Sequence, residues 1–192
     1  MGLKKIPYQT ASLLIRAFLS TEEGEDTVDL IQRLRAVRVR GYLTRGELEA
    51  VCLWKSARAI QHIRSNSAWQ IRTATRRALS TTSERRRLEE LMALRGVSVP
   101  MASSILTLVD PRRYGVMDIR VWQLLHAIGA VTKKPAGVGF RFHDWCEFLM
   151  TLRSFAKKFN VNARDIERAL FSAHQKYQKG RLYATRTVPS RG

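Results

Sequence analysis

Acidic residues are scarce in this chain: 16 Asp and Glu stand against 34 Lys and Arg, a formal net charge of +18 over 192 residues. Cysteine is scarcer still. Cys52 and Cys146 lie far apart, and two thiols cannot build a four-thiolate cluster or a zinc site, so no metal and no cofactor are implied. Both read as reduced, buried thiols. Long uncharged apolar runs are missing as well. Lys4 and Lys5 open the chain, but Arg16 interrupts the apolar stretch that follows, so neither a signal peptide nor an anchor is expected. No helix is basic on one face only, which argues against a membrane partner. The expected location is the cytoplasm. Strand-like alternation of useful length is also absent, which leaves an all-α fold.

What is present supports a folded, polyanion-binding protein. Hydrophobic residues make up 45% of the chain, enough for a core. A basic excess meant only for solubility is a weak explanation, because acidic residues serve that end at least as well. Long-range attraction of DNA or RNA is the better one.

Caps and periodicity predict about eight to ten helices in one compact unit spanning 1–192. The first covers Tyr8 to Leu19 and the second Asp26 to Arg40, ended by Gly41. Thr44 with Glu47 forms a capping box for a helix reaching about Ile63. Asn66 is placed as the cap of a helix to Leu79, and Thr81 with Glu84 as the cap of one ending at Leu94. Val99 to Val109 stops before Pro111. Asp118 opens a helix to about Gly129, Thr132 to Gly139 is a loop, and Phe142–Phe159 and Asn162–Lys179 are the last two helices. The tail, 180–192, reads as short, basic and flexible.

The informative segment lies within 88–109. A helix ends near Leu94, Gly96 permits a left-handed turn, and a new helix starts at once. Such a turn aims unpartnered amides, at the positive end of a helix dipole, toward one point where a phosphate fits. Gly96, Val97, Ser98, Val99 and Met101 are the expected phosphate binders, and Pro100 suits a first turn that needs no amide.

The pattern Leu-x-Gly-Val-x-x-x-x-Ala, here Leu94 to Ala102, resembles the hairpin of the helix-hairpin-helix DNA glycosylases, the superfamily of endonuclease III, the adenine-mismatch enzyme and the alkylpurine glycosylases. In that superfamily a catalytic Asp opens the next long helix. Here Val116-Met117-Asp118 opens one at 116–130, with Asp118 22 residues after Gly96. The resemblance implies a two-lobed helical fold with the active-site cleft between lobes. It also implies a repair enzyme that flips a damaged or mispaired base from double-stranded DNA and hydrolyses its N-glycosidic bond. No cofactor is expected, and a monomer is expected because flipping requires only one active site. The chain departs from the pattern in three ways. Ser98 replaces the second hairpin glycine, Pro100 stands where bifunctional members carry a nucleophilic lysine, and the four-cysteine cluster is missing.

Asp118 suits the chemistry, since a carboxylate stabilises the positive charge that grows on the sugar and orients water. An N-cap role is the plainer reading of an Asp there, and the two roles are compatible. Lys55 stands out because it falls on the apolar face with Leu48, Cys52 and Ala59. It either snorkels or is structurally paired, lines the base pocket or contacts DNA, or acts as a displaced Schiff-base nucleophile. Trp54, Trp69 and Trp122, with Phe140, Phe142 and Trp145, are candidates for a base pocket or wedge, although helical spacing makes most of them core. Arg72, Arg76, Arg77, Arg85, Arg86, Arg87 and Arg95 are candidate DNA contacts, followed by Lys176, Lys179 and Arg181. A non-catalytic hairpin DNA binder, or a bifunctional glycosylase/lyase using Lys55, are the alternatives.

Overall fold

A computed structural model describes residues 2–179, so Arg181 and the 180–192 tail lie outside the described residues. The described chain is all-α apart from one short ladder, with ten α-helices.

Helix α1 is Ala11–Phe18, started by the Thr10 hydroxyl. Helix α2, Glu25–Arg40, ends where Gly41 turns left-handed at φ +78°. Helix α3 begins at the expected Thr44–Glu47 capping box but covers only Arg45–Lys55. The apolar period runs on toward Ile63, yet Ser56 is extended at φ −172°, and a 3-10 turn at Ala57–Ala59 leads into α4, Ile60–Arg64. Tertiary packing decides this break: Ala59, His62 and Ile63 close against Gly96.

Helix α5, Ala68–Ser80, is capped by Ser67 with Gln70, not by Asn66. Asn66 is buried and has another task, described below. Helix α6, Glu84–Met92, is capped by Ser83 rather than Thr81. Its Glu84 is drawn away from any capping box by the Tyr114 hydroxyl, Arg87 and Arg153. Helix α7, Val99–Val109, is the core of this half, buried at every position but Pro100, with α2, α3 and α6 packed on it.

Helix α8 is Ile119–Ala127, α9 Phe142–Phe159 and α10 Ala163–Tyr177. Helix α10 packs on α1, α8 and α9. It stops two residues short of Lys179, because Gln178–Lys179 pairs antiparallel with Gly2–Leu3 and ties the two ends together. The expected 132–139 loop is held by Trp122, whose Nε1 donates to the carbonyls of Lys133 and Lys134 at 3.1 and 3.0 Å.

Candidate active site and hairpin

Asp118 is the N-cap of α8, and its Oδ1 accepts the Arg120 amide at 2.8 Å. Its Oδ2 accepts Lys55 Nζ at 3.0 Å, so the two residues that the sequence marks separately form one ion pair. The break at Ser56 puts Lys55 at the last position of α3, where its ammonium reaches across to α8. Burial alone would raise the Asp118 carboxyl, but the charge of Lys55, the Arg120 amide and the Arg120 charge hold it below the usual carboxylate range.

The pair borders a cavity of about 500 Å³, within the usual size of ligand pockets. Trp54 and Lys55 come from α3, and Asp118 and Arg120 from the start of α8. Helix α10 adds Arg164, Glu167, Arg168 and Phe171, and Glu23 comes from the α1–α2 connection. Trp54 is fixed by Nε1 donating to Thr27 Oγ1 at 3.0 Å, with the Arg164 guanidinium 5.5 Å from its ring centre. Burial favours the neutral form of Arg164, but Glu167 and Glu23 overcome it and keep the guanidinium charged. Burial pushes the Glu167 carboxyl up, opposed by Arg164 and by the Val116 amide.

The loop before Asp118 is anchored twice. The Val116 amide donates to Glu167 at 3.2 Å, and the Met117 amide donates to Ser103 Oγ at 2.9 Å. Ser103 lies on α7, the second helix of the hairpin, so this bond ties the residue before the carboxylate directly to the hairpin helix. Gly115 is required here: a Cβ would fall 2.6 Å from Leu152 Cδ1 and 2.8 Å from Glu167 Cβ.

Comparison with protein-family models, with curated proteins and with solved structures finds no match.

The hairpin itself has the geometry that its glycine suggests. Gly96 has φ +82°, and an added Cβ would sit 2.9 Å from His62 Cβ and 3.2 Å from the Ile63 nitrogen. Asn66 staples the turn from the other side. Its Oδ1 accepts the Arg95 amide at 2.9 Å, and its Nδ2 donates to the carbonyls of Arg95, Ile63 and His62 at 3.0, 2.9 and 3.1 Å. Ser98 has φ −92° and ψ 174°, an extended conformation open to any residue, so the backbone does not require a second glycine there. The Val97 amide is spent on Leu94 O at 3.1 Å, so it is not open to the phosphate expected there. Among the described residues the amides of Ser98, Val99 and Met101 carry no such bond. A shallow concavity lined by Arg58, His62, Gly96 and Ser98 opens at this point.

Other candidates move. Trp122 and Trp145 are fully buried, and Phe140 packs on Trp122, so these are core residues. Trp69 is 72% exposed and outside the cavity, leaving Trp54 as the one candidate tryptophan that lines it. Arg87 is buried, donating to Ala78 O at 3.1 Å and Glu84 at 2.8 Å, and is no surface contact. Arg77, Arg85 and Arg86 face Glu90, Glu89 and Glu90 at 3.8, 3.6 and 3.7 Å. Phe142 lies under Arg85, and Lys176 rests over Phe18. The sequence reading missed Arg164, Glu167 and Phe171. Glu167 had the signal that exposed Lys55, a charge among the apolar Ala163, Ile166 and Leu170. A larger groove of about 1000 Å³ between residues 3–11 and α8 holds none of the marked residues.

Proposed function

We propose that this protein is a DNA glycosylase of the helix-hairpin-helix kind, with Asp118 as its catalytic carboxylate. The observation that carries this reading is the link between the two marked sites: Ser103 on the hairpin helix binds the amide of Met117, next to an ionised Asp118 at the edge of a cavity. Helix α3 supplies one wall of that cavity and α8 with α10 the other, which agrees with a cleft between two lobes.

In this scheme the free amides at the start of α7 take a phosphate of the lesion strand. The base swings out of the duplex into the cavity, against Trp54 or Phe171. As the glycosidic bond lengthens, the Asp118 carboxylate stabilises the cationic sugar and holds the attacking water. The protein acts as a monomer on duplex DNA and requires no cofactor. No described helix is long and apolar enough to cross a membrane.

A panel of oligonucleotides bearing single lesions, treated with hot alkali after incubation, tests the reading. Asp118→Asn should abolish strand cleavage while duplex binding persists. Cleavage by that variant at the wild-type rate would refute the assignment, and binding without cleavage of any lesion by the wild type would leave a non-catalytic hairpin binder.

One observation favours a second reading. Lys55 Nζ stands 3.0 Å from Asp118 and borders the cavity, so its amine has the reach to attack the same sugar carbon. After the ammonium gives up a proton, the amine would bond to the sugar carbon as the glycosidic bond breaks, and the base would leave taking up a proton. Loss of a second proton from the nitrogen to the ring oxygen would open the sugar to a Schiff base, adding lyase activity despite Pro100. Borohydride should then trap wild type on lesion DNA and fail to trap Lys55→Ala.

A further inference from the structure

Helix α5 turns one face to the core through Ile71, Ala74, Thr75 and Ala78. The opposite face brings Trp69, Arg72 and Arg76 into line, at the three- and four-residue spacing of one helical side. Beside it the Leu43 amide donates to Thr75 Oγ1 at 3.0 Å, which seats Tyr42 against the helix. Arg40, Arg72 and Arg76 converge on the Tyr42 ring, with guanidinium carbons 5.0, 5.0 and 4.9 Å from its centre. Arg40 has a carboxylate partner in Glu47, whereas Arg72 and Arg76 have none among the described residues. The other exposed arginines of the basic runs on α5 and α6 face Glu89 or Glu90.

Arg72 and Arg76, the two guanidiniums on the ring without a carboxylate partner, repel each other, and the ring face offsets this only in part. An anion would complete the arrangement. The platform also begins where the hairpin is stapled: Arg45 Nη2 donates to Asn66 O at 2.8 Å, and the Asn66 side chain holds Arg95. From Trp69 to Arg76 the helix rises about 10 Å, the axial run of about three nucleotides. An exposed indole set in line with unpaired guanidiniums is the composition of a strand-stacking surface, since every unpaired base offers a π face.

We infer that α5 is a second DNA-binding platform, continuing the path of the strand beyond the hairpin and taking it unpaired. Phosphates lie against Arg72 and Arg76, and a base stacks on Trp69. The substrate class is duplex DNA adjoining a single-stranded stretch. This rests on the reading of DNA as the partner but not on the chemistry of Asp118.

The test uses undamaged DNA, so that no excision enters. Binding is measured on a short blunt duplex and on the same duplex with a thymidine tail at either end, across a salt series. The wild type should bind one tailed form about tenfold tighter than the blunt one, the size of a single base–aromatic stack. Trp69→Ala should remove that preference, and the tail should quench tryptophan fluorescence in the wild type but not in Trp69→Phe. Arg72→Gln with Arg76→Gln should lower the slope of log affinity against log salt by about 1.4 on the tailed probe. All these side chains lie on the surface, and an unchanged thermal midpoint checks that each variant folds. Duplex binding with no tail preference, or an unchanged salt slope, would overturn the platform alone. Failure to bind any DNA would overturn the DNA reading with it.

Discussion

Replacing Asn66 by Ala should loosen the hairpin, because its side chain holds the Arg95 backbone at the turn. The side chain makes four hydrogen bonds, but they are not equal. His62 O also accepts from Ser65 Oγ at 2.8 Å, and Ile63 O also accepts the Asn66 amide at 3.2 Å, so both carbonyls stay satisfied in the variant. Only the amide and carbonyl of Arg95 lose their partner. An unsatisfied buried group costs about 1–3 kcal/mol, and because the Arg95 bonds are part-buried the lower half of that range applies to each. The sum is about 2–4 kcal/mol. For a chain of this length that lowers the thermal midpoint by roughly 4–16 °C. The assay is a thermal melt, with amide exchange at Arg95 and Val97 followed alongside. A midpoint within a degree or two of wild type, with protection at Arg95 unchanged, would refute the claim that Asn66 holds the turn.

Gly96→Ala forces an L side chain to φ +82° and drives its Cβ to 2.9 Å from His62 Cβ, so affinity for undamaged duplex should fall about tenfold or more in a filter or fluorescence assay. Ser103→Ala leaves the buried Met117 amide without its acceptor, at about 1–3 kcal/mol. The excision rate at saturating DNA should drop while affinity for undamaged DNA holds, and equal loss of both would count against Ser103 as the link. Lys55→Gln removes the largest influence holding the Asp118 carboxyl down, and burial, now unopposed by it, pushes that carboxyl up. Because the proposed chemistry needs an ionised Asp118, the acid limb of the wild-type rate profile should lie below the ordinary carboxylate range. In the variant the limb should move toward neutral pH. A single-turnover pH series that leaves it in place would separate Lys55 from Asp118.

Much of the helix pattern is legible because caps are local. Thr44 with Glu47, Gly41 and Pro111 each act within one turn of chain, and each falls where expected. Where several cap-forming residues adjoin, as at Asn66-Ser67 and Thr81-Thr82-Ser83, local rules do not choose among them. The structure chooses by what else must be bonded: Asn66 is taken by the hairpin and Glu84 by Tyr114 and three arginines. The end of α3 at Lys55 was hidden because its apolar period continues, and only the packing of α4 on Gly96 interrupts it. At the site, spacing pointed to Asp118 and polarity pattern to Lys55, but their partnership joins residues 63 positions apart. Aromatic identity alone could not separate Trp54 at the cavity from Trp122 in the core.

The ion pair also bears on how the carboxylate would act. Each oxygen of Asp118 already accepts one donor, the Arg120 amide or the Lys55 ammonium, and its proton affinity is lowered. Such a group is a poor base, so removing a proton from water is the lesser part of its contribution. Its fixed negative charge is the greater part, and that charge is worth most in a dry cavity. An ionised carboxylate has about four acceptor positions, of which two remain open for a sugar edge and a water. Lys55 next to it adds repulsion toward a cationic sugar, which sets a limit on the scheme. Either the ammonium turns from Oδ2 toward the departing base as the sugar charge develops, or it hands its proton to that base and its amine bonds to the sugar carbon as the glycosidic bond breaks. Both outcomes require the Lys55 head group to move relative to a carboxylate that Ser103, Glu167 and the Arg120 amide keep still.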